Sequence, residues 1–123
     1  ELAAAGGGLL SALDALSLCS CATLSDETCA ALALHAAALR ALNLSGCLRL
    51  SDLAVGLLLA KLPRLTSADL SYLCVSDAGA LHALCALPGL TSLNLEGCPL
   101  CSEAGLQQLA AALPKLRLAN FSG

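Results

Sequence analysis

The stretch Leu90-Thr91-Ser92-Leu93-Asn94-Leu95-Glu96-Gly97-Cys98-Pro99-Leu100-Cys101-Ser102-Glu103 decides how the rest of the chain is read. Its opening frame recurs as Leu65-Thr66-Ser67-Ala68-Asp69-Leu70, as Leu39-Arg40-Ala41-Leu42-Asn43-Leu44 and as Leu13-Asp14-Ala15-Leu16-Ser17-Leu18, and a partial copy runs from Leu116 to Phe121. From Leu13 through Leu39, Leu65 and Leu90 to Leu116, the opening leucines lie 26, 26, 25 and 26 residues apart. A fixed period of this size marks a solenoid, in which each unit buries its apolar face only against its neighbours. The 123 residues therefore form a single array with repeats at about 13–38, 39–64, 65–89 and 90–115 and a partial one at 116–123. Residues 1–12 complete a preceding repeat, since Leu10-Ser11-Ala12-Leu13 has the form of Leu62-Pro63-Arg64-Leu65, Leu87-Pro88-Gly89-Leu90 and Leu113-Pro114-Lys115-Leu116. The partial units at both ends, with no initiating Met, give the expectation that the array is cut from something longer.

Within each copy the leucines lie three and then two positions apart. The second spacing is the alternation of a short strand with one buried face. Small or polar residues follow, and then the trios Leu24-Ser25-Asp26, Leu50-Ser51-Asp52, Val75-Ser76-Asp77 and Cys101-Ser102-Glu103. A Ser and then an acid before an apolar periodic run predict a helix start, where the hydroxyl caps free N–H groups and the carboxylate meets the positive end of the helix dipole. The helices are expected to bury Cys29 and Leu32; Val55, Leu58 and Leu62; Leu81, Leu84 and Leu87; and Leu106, Leu109 and Leu113. Pro63, Pro88 and Pro114 then stop them. The expected fold is α/β, with a curved parallel sheet inside, helices outside and right-handed strand-helix-strand crossovers.

Composition narrows the function. Hydrophobic residues make up 58% of the chain and charged residues 12%, but no stretch offers the roughly 18 apolar residues that a spanning helix needs. The apolar opening Leu2 to Ala12 lacks the basic flank of a signal peptide and is broken by Gly6-Gly7-Gly8, so it reads as part of the array. A net charge of -3, with six scattered Lys and Arg, makes no basic stripe for a nucleic-acid backbone. One Tyr, one Phe and no Trp leave no row of platforms for stacked bases.

Eight cysteines raise the question of a secreted disulfide framework, and their register argues against it. Cys21, Cys47 and Cys98 each fall eight residues after the leucine opening their repeat, and Leu73 holds that place in the third. A position filled by Cys or Leu is an apolar slot. Cys29 and Cys101 likewise stand where other copies carry Val or Leu. Free buried thiols in a reducing compartment, cytoplasmic or nuclear, follow.

On these residues the chain resembles leucine-rich repeat proteins of the cysteine-containing class, whose unit reads roughly L-x-x-L-x-L-x-x-C followed by an apolar residue, Ser or Thr, and Asp. Leu39 to Asp52 fits closely, and the match runs from about Leu10 to Gly123. That class is best known in the substrate-recognising halves of F-box proteins, so the resemblance implies protein recognition, with a ubiquitin-ligase adaptor role supplied by domains outside this chain. Ala68 for the second leucine, Leu73 for Cys, and the helix glycines Gly56 and Gly79 depart from the pattern. Ribonuclease-inhibitor-like repeats and immune-receptor repeat regions are neighbours of this pattern, but Cys followed by Ser-Asp favours the F-box type.

Enzyme, metal or redox chemistry is the rival reading. Cys98-Pro99-Leu100-Cys101 has the spacing of a redox pair or half a zinc site, and Cys19-Ser20-Cys21 is another close pair, yet the repeat register already accounts for Cys98 and Cys101 as core slots. His35 and His82 lie in different helices with no ligand set beside them. The Ser-Asp pairs recur with the period, as caps do and catalytic triads do not. The glycine run has no Lys and Ser or Thr after it to make a phosphate loop. No catalytic residue, cofactor or metal is therefore expected.

What remains is the strand face turned away from the core. One column runs Ser17, Asn43, Asp69, Asn94, Asn120, and the next runs Cys19, Ser45, Ser71, Glu96, Ser122. Beside them lie Arg40, Thr66, Thr91, Arg117 and Tyr72. The expected partner-binding set on the concave face is Arg40, Asn43, Ser45, Asp69, Ser71, Tyr72, Asn94, Glu96 and Asn120. Tyr72 is the anchor candidate, because it is the large side chain there that offers a hydroxyl.

Overall fold

The computed structural model describes residues 12–122. The opening segment with Gly6-Gly7-Gly8 lies outside them, as does the preceding repeat up to Ser11. Five three-residue strands recur in the frame expected of them: β1 (Ala15–Ser17), β2 (Ala41–Asn43), β3 (Ser67–Asp69), β4 (Ser92–Asn94) and β5 (Leu118–Asn120). All four pairings are parallel, in the order β1-β2-β3-β4-β5, and among the described residues the sheet is open at both edges. Corresponding residues pair directly, Leu42 with Ala68 and Ala68 with Leu93, so the sequence period is also the register. Beyond the strands the hydrogen bonding continues, with Leu44 N–H donating to Asp69 O and Gly46 N–H to Ser71 O, at 2.9 and 3.0 Å.

Helices alternate with the strands: α1 (Asp26–His35), α2 (Asp52–Ala60), α3 (a π-turn over Asp77–Leu81 continuing as α-helix over His82–Leu84) and α4 (Glu103–Ala112). Each begins directly after the Ser of its trio. The core between the layers is a continuous leucine stack, in which Leu39, Leu44, Leu58, Leu62, Leu65, Leu70 and Leu84 have no solvent exposure. Cys29, Cys47 and Cys98 are buried in it, and Leu73 fills the Cys slot of the third unit. Exposed Cys19 and Cys74 lie outside that core.

The Ser-Asp pairs do more than cap their own helices. Ser51 and Ser102 accept from Ala54 N–H and Gly105 N–H, as a cap should, but Ser25 and Ser76 make no such bond. The acids instead reach the next unit. Asp26 accepts from the N–H and hydroxyl of Ser51, Asp52 from those of Ser76, and Asp77 from those of Ser102. These bonds hold all three carboxyls below the usual carboxylate range. At Asp52, partial burial pushes the other way, and the bonds from Ala80, Ser76 and Gly79 outweigh it.

Asp52 also explains the π-turn. In α2 and α4 the carbonyl of the Ser cap takes the N–H four residues on, from Val55 and Leu106. In the third unit that donor, Ala80 N–H, is drawn 2.9 Å from Asp52 Oδ1, and Ser76 O takes Leu81 N–H instead. An i to i+5 bond is the π geometry. The approach requires Gly79, where a Cβ would stand 2.1 Å from Asp52 Oδ2; Gly105 stands in the same relation to Asp77, at 2.2 Å. Gly56 permits close helix packing, since its Cβ would meet the Gly79 carbonyl at 3.1 Å. The helix glycines that depart from the repeat pattern are therefore seats for a neighbouring unit.

Candidate functional site

The strand face away from the core forms an open trough of about 430 Å³. Small side chains line it, Ala15, Ala41, Ser67 and Ser92 along one side and Ser17, Asn43, Asp69 and Asn94 along the other. Parallel strands about 4.8 Å apart set the second group in a row. So narrow a lining lets another chain approach closely, and its floor is held by buried Leu42, Ala68 and Leu93.

Each Asx side chain of the row is already engaged on one side. Asn43 Oδ1 accepts from Ser45 N–H, Asp69 Oδ1 from Ser71 N–H and hydroxyl, Asn94 Oδ1 from Glu96 N–H, and Asn120 Oδ1 from Ser122 N–H and hydroxyl. These are Asx-turns, the local bond from a side-chain oxygen to the backbone two residues on. They turn the chain out of each strand. What is left for a ligand is the second polar atom of each of the other three groups, an amide NH₂ on Asn43 and Asn94 and Oδ2 on Asp69, since the Asn120 amide donates to Glu96. Sequence reasoning missed this role, although Asn or Asp two residues before a Ser or Glu at the ends of β2 to β5 is its signal.

The other expected site residues separate by burial. Ser71 is 2% exposed, and its hydroxyl sits between Asp69 Oδ1 at 2.7 Å and Ser45 Oγ at 2.6 Å. It positions the row from below and presents nothing to a partner. Ser45 and Glu96 are half-buried, while Arg40 and Asn120 are exposed at opposite parts of the face. Asn120 Nδ2 lies 3.5 Å from Glu96 Oε1.

Tyr72 is 51% exposed at the edge of this face. Its backbone has φ +60°, and Ser20, Gly46 and Gly97 adopt the same left-handed conformation at the equivalent place, with φ 58°, 72° and 68°. Each follows its strand by three residues. Glycine suits that position, and a bulky aromatic there is an outlier in need of support. Gly97 supplies the support: a Cβ on it would stand 2.4 Å from Tyr72 Cδ1, so the ring lies directly over the glycine of the next unit. The Glu96 carboxylate beside the phenol, with a smaller effect from Asp69, raises its pKa above the ordinary value. The corner is negative and its hydroxyl stays protonated.

The helical side is different. A groove of about 400 Å³ runs between α2 and α3, lined by Leu53, Gly56, Leu57, Ala60, His82 and Ala83 among others. Leu53 and Leu57 are 69% and 60% exposed. Among the described residues, no three His, Cys, Asp or Glu side chains gather to hold a metal ion, and no helix is long and apolar enough to cross a membrane.

Comparison with known proteins identifies a fold and no family. No protein-family model and no curated protein matches this sequence. Among solved structures the chain is similar to one titled "Leiomodin-1 Actin-Binding Site 2 (ABS2)", with a TM-score of 0.73 over 93% of this chain and 73% of that one. At 13% identity the likeness concerns the course of the backbone. It shows that strands and helices alternating in this way form a fold already seen.

Proposed function

We propose that the chain is a leucine-rich repeat solenoid of the cysteine-containing type and acts as a non-enzymatic scaffold that binds another protein on its concave sheet. The observation that carries this is the trough itself: a row of regularly spaced polar groups above small side chains, with one exposed aromatic at its edge. Such a surface suits a polypeptide, which can set its own side chains between the rows and its polar groups against the free amides. The fold neighbour, titled as an actin-binding site, supports the use of this architecture for holding a protein. Asp69 and Glu96 favour a partner with basic residues at the Tyr72 end. Recognition of substrates for a ubiquitin ligase is the finer form of the proposal, with the ligase contact supplied by domains outside this chain in a reducing compartment.

The test compares three proteins as bait for the same partner: wild type, Tyr72→Ala with Asp69→Ala, and a variant with charges at Gln107 and Gln108 on the helical side. The double variant is expected to bind at least about tenfold more weakly, because aromatic anchors dominate interface energy. The helical-side variant binds normally. The reverse pattern would move the interface to the helical side and end the sheet-face reading.

A further inference from the structure

The helical layer carries leucines on both of its sides. From Leu53 to Ala60, α2 has no polar side chain. Val55, Gly56, Leu58 and Leu59 are buried, while Leu53 and Leu57, one turn apart, stand exposed on the outside. A helix that is apolar all round belongs in an interior. Leu34 on α1 is 75% exposed as well, and exposed Ala30, Ala60, Ala78 and Ala86 carry the apolar surface from α1 across to α3. Contiguous surface of this kind marks an interaction site. Its relief is specific: Leu53 and Leu57 line the groove toward α3 and a second one, of about 290 Å³, toward α1. The leucine pair is thus a ridge between two grooves lined by small residues, Gly56, Ala60 and Ala83 on one side and Ala30 and Ala33 on the other. Helices meet by setting ridges into grooves. Here one patch holds both halves of the fit, as the interface of a two-fold dimer must, because the same surface serves both copies.

Charge sets the orientation. Asp26, Glu27, Asp52, Asp77 and Glu103 lie at helix starts, whereas Arg40, Lys61, Arg64, Lys115 and Arg117 lie in the segments that follow the helices. Arg49, before α2, and Asp14, before β1, are the exceptions. The layer is therefore acidic along one edge and basic along the other. Two such layers face to face with their helices parallel would set like charge on like, and with their helices antiparallel each acidic edge meets the basic edge of the other copy. One register satisfies size and charge together. With α2 antiparallel to its copy, an axis between Gly56 and Leu57 sets Leu53 against the second copy's Ala60, Leu57 against its Gly56, and Asp52 against its Lys61. Parallel pairing in register would instead place each leucine on its own copy and Asp52 on Asp52.

We propose that the chain pairs with a second copy of itself through the outer faces of α1 to α3, about a two-fold axis that crosses α2 between Gly56 and Leu57. At about 1.5 Å per residue along each helix and about 10 Å between neighbouring axes, these three helices offer roughly 450 Å² of flat contact to the other copy. That lies at the small end for a specific interface, so the dimer is weak and depends on concentration. Pairing of the helical layers leaves the two sheet faces on opposite outer surfaces. One dimer then presents two troughs, and a partner with two sites gains from holding both.

Sedimentation equilibrium of the 123-residue chain, from about 5 to about 500 µM at low salt, tests this. The expected result is a monomer–dimer equilibrium with no larger species. Leu57→Glu, at an exposed position, should raise the dissociation constant at least about tenfold, with the thermal midpoint of the dilute protein unchanged. Lys61→Glu, also exposed, reads the orientation. Antiparallel pairing predicts that wild type associates most tightly, an equal mixture of wild type and Lys61→Glu less so, and Lys61→Glu alone least. A mixture tighter than either protein alone would mean parallel helices and would overturn the axis. The proposal is refuted by a monomer at every concentration, or by association that Leu57→Glu leaves unchanged, which would place the contact elsewhere on the chain. A monomer that binds phosphatidylserine vesicles, and loses them with Leu57→Glu, would give this face to a membrane and overturn it too. Leu57→Glu lies on the layer opposite the sheet face, so binding of a single-site partner there is expected to stay as in wild type, whichever way the dimer test falls.

Discussion

Replacing Asp52 by Ala tests whether the bonds between units, rather than the caps within them, hold the helical layer together. Asp52 accepts at 2.8 Å from Ser76 N–H, at 2.7 Å from the Ser76 hydroxyl and at 2.9 Å from Ala80 N–H. A hydrogen bond to a charged acceptor contributes roughly 1.5 to 3 kcal/mol net, but the three do not add here. Without the carboxylate, Ala80 N–H can return to Ser76 O and the π-turn can relax to α geometry, while the Ser76 hydroxyl can turn to water. Ser76 N–H is left without a partner. The expected loss is therefore about 2 kcal/mol, or roughly 10 °C in thermal midpoint for a domain of this size. Circular dichroism melts at neutral pH measure it. Gly79→Ala sharpens the test, because its Cβ would displace the same carboxylate in the wild type. With Asp52 gone the methyl meets no carboxylate, and Ala is favoured over Gly in a helix by about 1 kcal/mol. Gly79→Ala should thus destabilise the wild type and stabilise Asp52→Ala. The reasoning is refuted if Asp52→Ala melts within about 2 °C of wild type, or if Gly79→Ala has the same sign in both backgrounds.

Acid should undo the same bonds. Asp26, Asp52 and Asp77 have folded pKa values below their unfolded ones, so their contribution is fully present above the unfolded value, near pH 4, and is lost as pH falls through the lowered folded values. Urea midpoints of wild type and Asp52→Ala should converge over that range, and a gap that stays constant down to pH 2 would contradict the assignment. Cys47→Ala should destabilise by roughly 1 to 3 kcal/mol through lost packing and the lost bond from Sγ to Leu18 O, as urea denaturation under reducing conditions would show. At position 72, where φ is +60°, Tyr72→Gly should melt higher than Tyr72→Ala, because Ala keeps the left-handed strain and Gly does not. Equal midpoints would mean that the backbone relaxes there.

The period made most of the fold legible. Leucine spacing located all five strands and their pairing, because a repeat that buries its face against its own copy must carry the period into the register. Helix starts were legible for the same reason, since Ser followed by an acid is a local signal. The exceptions lie where the chain answers to a neighbour. Ser76 looks like any other cap in sequence, yet Asp52 displaces that role, and the resulting π-turn belongs to two units at once. In sequence Gly79 is only a departure from the repeat pattern and Gly105 carries no signal, because the carboxylates they admit are 27 and 28 positions away, at Asp52 and Asp77.

At the sheet face, alternation picked out the columns that turn away from the core but could not rank their members. Ser71 and Glu96 share a column, and one is buried under an Asx-turn while the other is half-exposed. The difference comes from Asp69, whose Oδ1 draws the Ser71 hydroxyl inward, whereas Asn94 takes only the Glu96 N–H and that carboxylate accepts from Asn120 Nδ2 instead. Tyr72 was singled out for size alone; the structure adds why it can stand there. Its slot demands a left-handed backbone, and the ring that makes the slot unfavourable is held by the glycine of the following unit. A large residue at Gly97 would lift the ring away, so the exposed ring and the bare backbone beside it form one feature shared by two repeats. This coupling makes Gly97→Ala a probe of the proposed binding face: it should weaken binding as Tyr72→Ala does, and normal binding by Gly97→Ala would show that the ring's position is not what the partner reads.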